Sequence, residues 1–198
     1  MLTLANDVIG TGPRLQMLTD DAETNRRIER EFTAWAKAVG LPEKLRTLRM
    51  ARDTDGEAFA VLISNPQLAT PVQLDLRLVE ADRVGTPDLN AAAANAVDGI
   101  VFDAAGNPVE YHILKDHPGD GYSISREYDR VPAAAVIHWF RADRPGQARG
   151  VPDILPALPL FAQLRRFTLA VIAAAETAAD FAGILYTDAP AGGEADAA

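Results

Sequence analysis

The residues best suited to chemistry in this chain are carboxylates. Asp53, Asp55 and Glu57 crowd five positions, Asp53-Thr-Asp55-Gly-Glu57. Closely spaced carboxylates can share a proton for general acid–base hydrolysis or supply hard oxygens to calcium. A calcium loop also needs a later glutamate ligand, and none falls at the required position. The Asp55-Gly56 pair is equally a turn before a strand, and the turn is the stronger reading. The three histidines, His112, His117 and His138, show no metal-ligand spacing. His112 alternates out of phase with Val109, Tyr111 and Ile113, so it is expected to face solvent. Ser64, Ser123 and Ser125 occupy no nucleophile elbow. Gly10-Thr-Gly12 and the Gly146–Gly150 loop lack phosphate-cradle spacing. The chain has no cysteine, which removes disulfides, thiolate metal sites and cysteine nucleophiles. No catalytic residue, metal site or cofactor is therefore assigned.

The remaining candidates are for contact. Arg141, Arg144 and Arg149, with Arg165 and Arg166, form a basic cluster in a chain with 28 acids, 19 bases and a net charge of −9. Arg144, Gln147, Arg149, Arg165 and Arg166 are candidates for contact with another subunit or partner, or with a nucleic-acid backbone. The plain alternative is solvated loop charge. The acidic balance disfavours a sequence-independent grip on phosphates, and no aromatic platform for single strands accompanies the arginines.

Elements must position these groups. The 198 residues, 48% hydrophobic and 24% charged, suffice for one substantial domain or two small ones. Ile28, Phe32, Trp35 and Val39 fall on one helical stripe and predict a helix over about Ala22 to Val39, capped by Asp20 or Asp21 and ended by Gly40 and Pro42. A shorter helix is expected over Glu43 to Arg52. Glu57 to Ser64 reads as a strand, and Val72, Leu74, Leu76 and Leu78 alternate with polar residues as in a half-buried strand. Gly99–Asp103 and Val109–Leu114 flank a hairpin turn, and Ala135–Phe140 supplies another strand. Thr86–Asn95 and Asp116–Arg130 read as loops, and Met1–Gln16 holds a Gly-Thr-Gly-Pro turn.

A turn-rich loop from Arg144 to Pro152 leads into a long helix, from Pro156 or Pro159 to about Ala182, with Gly183 as its stop. Ala170, Ala174, Ala178 and Phe181 are its candidate packing residues. A helix apolar nearly all round is either a central core helix or one completed by neighbouring subunits. Phe167–Tyr186 is apolar enough to raise a membrane span, but Glu176 and Asp180 would each cost roughly 2.5–3.5 kcal/mol at a bilayer centre. The expectation is a soluble packing helix without a membrane. No base follows Arg166, and residues 187–198 are expected to be a disordered tail. The fold class is α+β: an amino-terminal helix, a central mostly antiparallel β block, and a long Ala-rich carboxy-terminal helix.

Several stretches taken in order resemble the portal proteins of tailed phages, lambda family. They are Asn6-Asp-Val-Ile-Gly-Thr-Gly-Pro-Arg-Leu-Gln16, Glu31-Phe-Thr-Ala-Trp-Ala36, Asp55-Gly-Glu57 and Leu78-Val-Glu-Ala-Asp82. The series continues with Asp98-Gly-Ile-Val-Phe-Asp-Ala-Ala-Gly-Asn-Pro-Val-Glu-Tyr-His-Ile113 and Arg130-Val-Pro-Ala133. It is sharpest at His138-Trp-Phe140 and Arg144-Pro-Gly-Gln-Ala-Arg-Gly-Val-Pro152.

The resemblance implies a structural, non-enzymatic subunit of a ring at the capsid vertex, typically a dodecamer. Double-stranded DNA passes through such a ring without sequence-specific binding. Terminase large subunit docks on it, and head–tail joining and capsid proteins attach. Its location would be the virion, and the host bacterial cytoplasm during assembly. By the same analogy, residues 1–140 would be a wing-like domain and 141–186 the loop and long helix of the ring body. Family members extend further at both ends, which makes this chain resemble the middle of a larger subunit. Two other classes compete: a bacterial adaptor domain binding a protein through the Arg144–Gly150 loop, and a hydrolase using Asp53, Asp55 and Glu57. The hydrolase requires a pocket on which those carboxylates converge.

Overall fold

A computed structural model of the chain describes residues 1–86, 95–120, 127–181 and 183. It divides into two units, Met1–Leu155 and Pro156–Ala198. The loop of residues 141–155 thus belongs with the first unit.

The first unit opens with three helices: α1 (Leu2–Ile9), α2 (Ala22–Ala38) and α3 (Leu41–Asp55). Helix α1 is absent from the sequence reading, where Asn6, Asp7 and the following turn obscured a single short amphipathic turn pair that buries Ala5. Helix α2 begins where its cap dictates, because the Asp21 carboxylate accepts from the Glu23 and Thr24 amides at 3.0 and 3.2 Å. It ends one residue before the expected boundary. Gly40, at φ 63°, turns the chain directly into α3, with Pro42 in the first turn. Helix α3 is longer than expected at both ends and runs to Gly56, at φ 89°.

Two antiparallel sheets follow. The first has order β2-β1-β7, from β1 (Glu57–Ser64), β2 (Leu74–Val79) and β7 (Val136–Phe140). The second has order β3-β4-β5-β6, from β3 (Ala96–Val97), β4 (Ile100–Phe102), β5 (Pro108–Leu114) and β6 (Tyr128–Pro132). The β4–β5 hairpin is as expected, with Asp103 accepting from the Ala105 and Asn107 amides in its turn. Strand β3 follows directly on the stretch read as a loop over Thr86–Asn95, and β6 begins inside the one read over Asp116–Arg130. Tyr128-Asp-Arg-Val-Pro132 is an edge strand with a polar outer surface, so it lacks the apolar alternation that marks a strand. Residues 87–94 and 121–126 of those expected loops lie outside the described residues.

Alternation along β1 divides its two faces. Phe59 and Val61 join Val79, Val84, Ile100, Tyr111 and Ile113 in the core between the sheets. Ala58 and Ala60, both buried, let α3 pack closely on the opposite face. Phe59, Ile100 and Ile113 are fully buried, each contributing about 1.5–3 kcal/mol. On β2 the leucines sit on the helix side and Trp35 Nε1 donates to the Leu74 carbonyl at 2.7 Å. Val79, out of the leucine phase, is the most buried residue of that strand because its other face meets the second sheet. Val72 precedes the strand and is exposed.

The second unit, as described, is one helix, α4 (Leu158–Asp180). It stops two residues short of the expected end, where Phe181 turns extended. Each residue of α4 is exposed, Leu160 at 63% and Phe167 at 67%. Among the described residues, no other element of the second unit packs on it. The segment Leu155–Asp180 is long and apolar enough to cross a membrane by length and composition. The expected tail, residues 187–198, falls outside the described residues.

Candidate functional site: a buried ionic staple and an unpartnered helix

The carboxylate cluster does not converge. Asp55 is exposed, whereas Asp53 and Glu57 are buried and each is engaged by arginine. Glu57 is the hub. As the first residue of β1 it points toward the loop that follows β7, and Arg149 arrives there from that loop. Arg149 Nε and Nη2 both reach Glu57 Oε1, at 2.7 and 2.6 Å. Nη1 donates to the Val84 and Asp98 carbonyls at 2.9 and 2.7 Å, and Nη2 to the Ala81 carbonyl at 3.1 Å. The guanidinium also lies 5.5 Å from the centre of the Phe59 ring. Only a planar fork with five donors can serve a carboxylate and three carbonyls at once.

The second Glu57 oxygen accepts from the Gly150 amide at 2.9 Å and from His138 Nε2 at 3.0 Å. A carboxylate can only accept, so His138 Nε2 carries the proton. In the neutral ring Nδ1 then accepts from the Tyr111 hydroxyl at 3.3 Å. His138 is held face to face between Phe59 and Phe140, with centroids at 4.2 and 4.4 Å. Burial pushes the Glu57 carboxyl up, but hydrogen bonds from His138, Arg149 and the Gly150 amide outweigh it and hold the pKa at about 2. Burial, then the Glu57 charge, raises the Tyr111 hydroxyl. With the Glu57 and His138 side chains only 5% and 6% exposed, this triad holds chain rather than meeting substrate.

Two glycines bring the strands of the staple together. A Cβ on Gly150 would lie less than 3.0 Å from the Gly56 carbonyl, and one on Gly56 equally close to the Val151 backbone. A second ionic ladder runs alongside. Asp53 pairs with Arg49, Arg52 reaches Asp153 at 3.1 Å, and Arg141 reaches Asp153 at 2.9 Å and Asp143 at 2.6 Å. The Gln147 amide group donates to the Arg141 and Arg149 carbonyls and accepts from the Asp143 amide, pinning the loop's shape.

Of the contact candidates, Gln147 and Arg149 are thus committed inside their own unit, while Arg144 is exposed in the loop. Arg165, Arg166, Ala170, Ala174, Ala178 and Phe181 are all exposed, on α4 or at its end. His112, expected in solvent, is only 16% exposed in its side chain. It lies 2.9 Å from Glu110, and its ring centroid is 4.9 Å from that of Tyr128. Sequence reasoning missed Glu57, His138 and Tyr111 as a unit, because no local spacing joins residues from β1, β5 and β7.

The segments that build this staple, Asp55-Gly-Glu57, Asp98, His138-Trp-Phe140 and the Arg144–Pro152 loop, lie within a match to the family model for phage portal protein, lambda family, over residues 1–198. The chain belongs to the lambda family of phage portal proteins. It is also similar to a probable portal protein of Halomonas phage phiHAP-1, with 27% identity over 182 residues, 85% of this chain. The match spans 35% of that relative's length. In this portal-family chain the stretches around residues 138–140 and 144–152 close the staple, which gives their residue types a physical reason.

Proposed function

We propose that this chain is a structural part of a portal subunit, which assembles into a ring at the capsid vertex. The ring forms the conduit for double-stranded DNA and the docking place for terminase and for head–tail joining proteins. The observation that carries the proposal is α4. Twenty-three residues, most of them apolar, stand exposed, with no packing partner among the described residues of their own unit. An isolated helix of this kind is not stable in water and is completed by neighbours. Glu176 and Asp180 near its end favour protein neighbours over lipid. In a ring each subunit supplies such a face to the next.

The charge suits the conduit. A chain at −9 offers little net attraction to phosphate, and fewer phosphate contacts mean weaker retention of DNA. The staple suits a structural part, since it anchors the loop of residues 141–155 to the sheet and to α3 through charge-assisted bonds. The Arg144–Gly150 adaptor reading is less favoured, because two of its polar side chains, Gln147 and Arg149, are already engaged within the unit. The test is electron microscopy and native mass measurement of the purified protein. Closed rings support the proposal, and a strict monomer at high concentration overturns it.

A further inference from the structure

The first unit carries an open groove of about 980 Å³ between α2, the segment before it and the start of α3. Arg14, Arg26, Arg30 and Lys37 line it, all exposed and none in an ion pair among the described residues. Four unpaired cations on one groove stand out in so acidic a chain. Arg26, Arg30 and Lys37 sit at i, i+4 and i+11, one stripe running about 16 Å along α2. Leu41 and Pro42 supply an apolar floor, and Glu43 lines the α3 end.

Helix α4 carries the complement. Glu176 and Asp180 are spaced i, i+4, and Arg165, eleven residues before Glu176, falls on the same stripe. Alanines surround the two acids, at 173, 174, 175, 178 and 179, so that side of the helix is narrow enough to enter a groove.

We propose that the α2 groove of one subunit receives the C-terminal half of α4 from a second copy of this chain, antiparallel to α2. Glu176 then meets Arg30 and Asp180 meets Arg26, while Arg165 is carried toward the Glu43 end. The parallel sense would carry Arg165 toward Arg14 and is disfavoured by repulsion. Groove and helix are different patches, so the contact repeats head to tail, which closes a ring when the rotation permits. The inference rests on the ring reading and names its contact. Duplex DNA is the poorer occupant, because Glu29 and Glu43 interrupt the cations and the floor is apolar.

The test uses the whole chain, whose lack of cysteine leaves a clean background. Chains bearing Thr33→Cys are mixed with chains bearing Ala173→Cys and oxidised. The expected product is a disulfide between the two kinds of chain. In parallel, Arg26→Glu/Arg30→Glu and Glu176→Arg/Asp180→Arg are each expected to weaken self-association roughly tenfold or more by sedimentation, and mixing the two variants to restore it. Undiminished association of the reversed variants overturns the docking and leaves the ring reading intact. A chain that never associates overturns both. A disulfide that forms only within one chain, in the double-cysteine variant, assigns the groove to the chain's own helix and overturns the proposal. So does loss of fluorescent-duplex binding by Arg26→Glu/Arg30→Glu with self-association unchanged.

Discussion

Glu57 and Arg149 are 92 residues apart in sequence, yet the guanidinium grips one carboxylate oxygen with two of its nitrogens while the Gly150 amide and His138 hold the other. Their pairing closes the chain from β1 through β7 and its loop into one ionic knot. Removing either partner leaves the other buried and uncompensated. Arg149→Ala is expected to cost about 3–5 kcal/mol in urea unfolding, and Arg149→Lys most of that, since a single ammonium cannot reach the carboxylate and the three carbonyls together. Glu57→Gln with Arg149→Met should cost less than the sum of the two single changes.

The same carboxylate sets an acid limit. Its folded pKa, about 2, lies below the ordinary glutamate value of 4.5. The unfolded state therefore binds the proton more readily, so this stabilisation is fully present above about pH 4.5 and is lost as the pH falls toward 2. The contribution is about 3 kcal/mol. Denaturant midpoints measured from pH 6 to pH 2 should fall through that window, and Glu57→Gln should flatten the fall.

Glycine substitutions separate crowding from backbone strain. Gly106, at φ 86° in the β4–β5 turn, has open space around a would-be Cβ, so Gly106→Ala should cost about 1 kcal/mol from the left-handed backbone alone. Gly56→Ala meets both a positive φ and the Val151–Pro152 backbone, and should cost about 3 kcal/mol or more. Thermal unfolding of the two variants side by side checks the ranking.

Every bond of the staple lies within Met1–Leu155. A chain ending at Leu155 should unfold cooperatively, with a stability within about 0.5 kcal/mol of the first unit in the whole chain. It should lose self-association, because it lacks α4. Circular dichroism and sedimentation check the two halves of this prediction.

Where local periodicity or local turn chemistry fixes an element, the residues alone suffice. The Ile28–Phe32–Trp35–Val39 stripe, the Asp21 cap, the Asp103–Asn107 hairpin turn and the first strand after Gly56 all rest on contacts within a few positions. Strand β6 was illegible because an edge strand with one covered face shows weak alternation. Helix α1 was illegible because eight residues are too few for a period. The staple was illegible for a different reason: Glu57, His138 and Arg149 are ordinary polar residues in sequence, and only long-range pairing gives them roles.

The sequence by itself determined the α+β class, the family resemblance, the absence of thiol chemistry and the acidic balance, all properties of composition or of short ordered words. Tertiary structure decided that Asp53 and Glu57 are locked away rather than poised, that Arg149 faces inward, and that the described residues of α4 are exposed. Those outcomes depend on which charges are desolvated together and which apolar faces find cover. Both are set by approaches between segments dozens of residues apart, which no local pattern encodes.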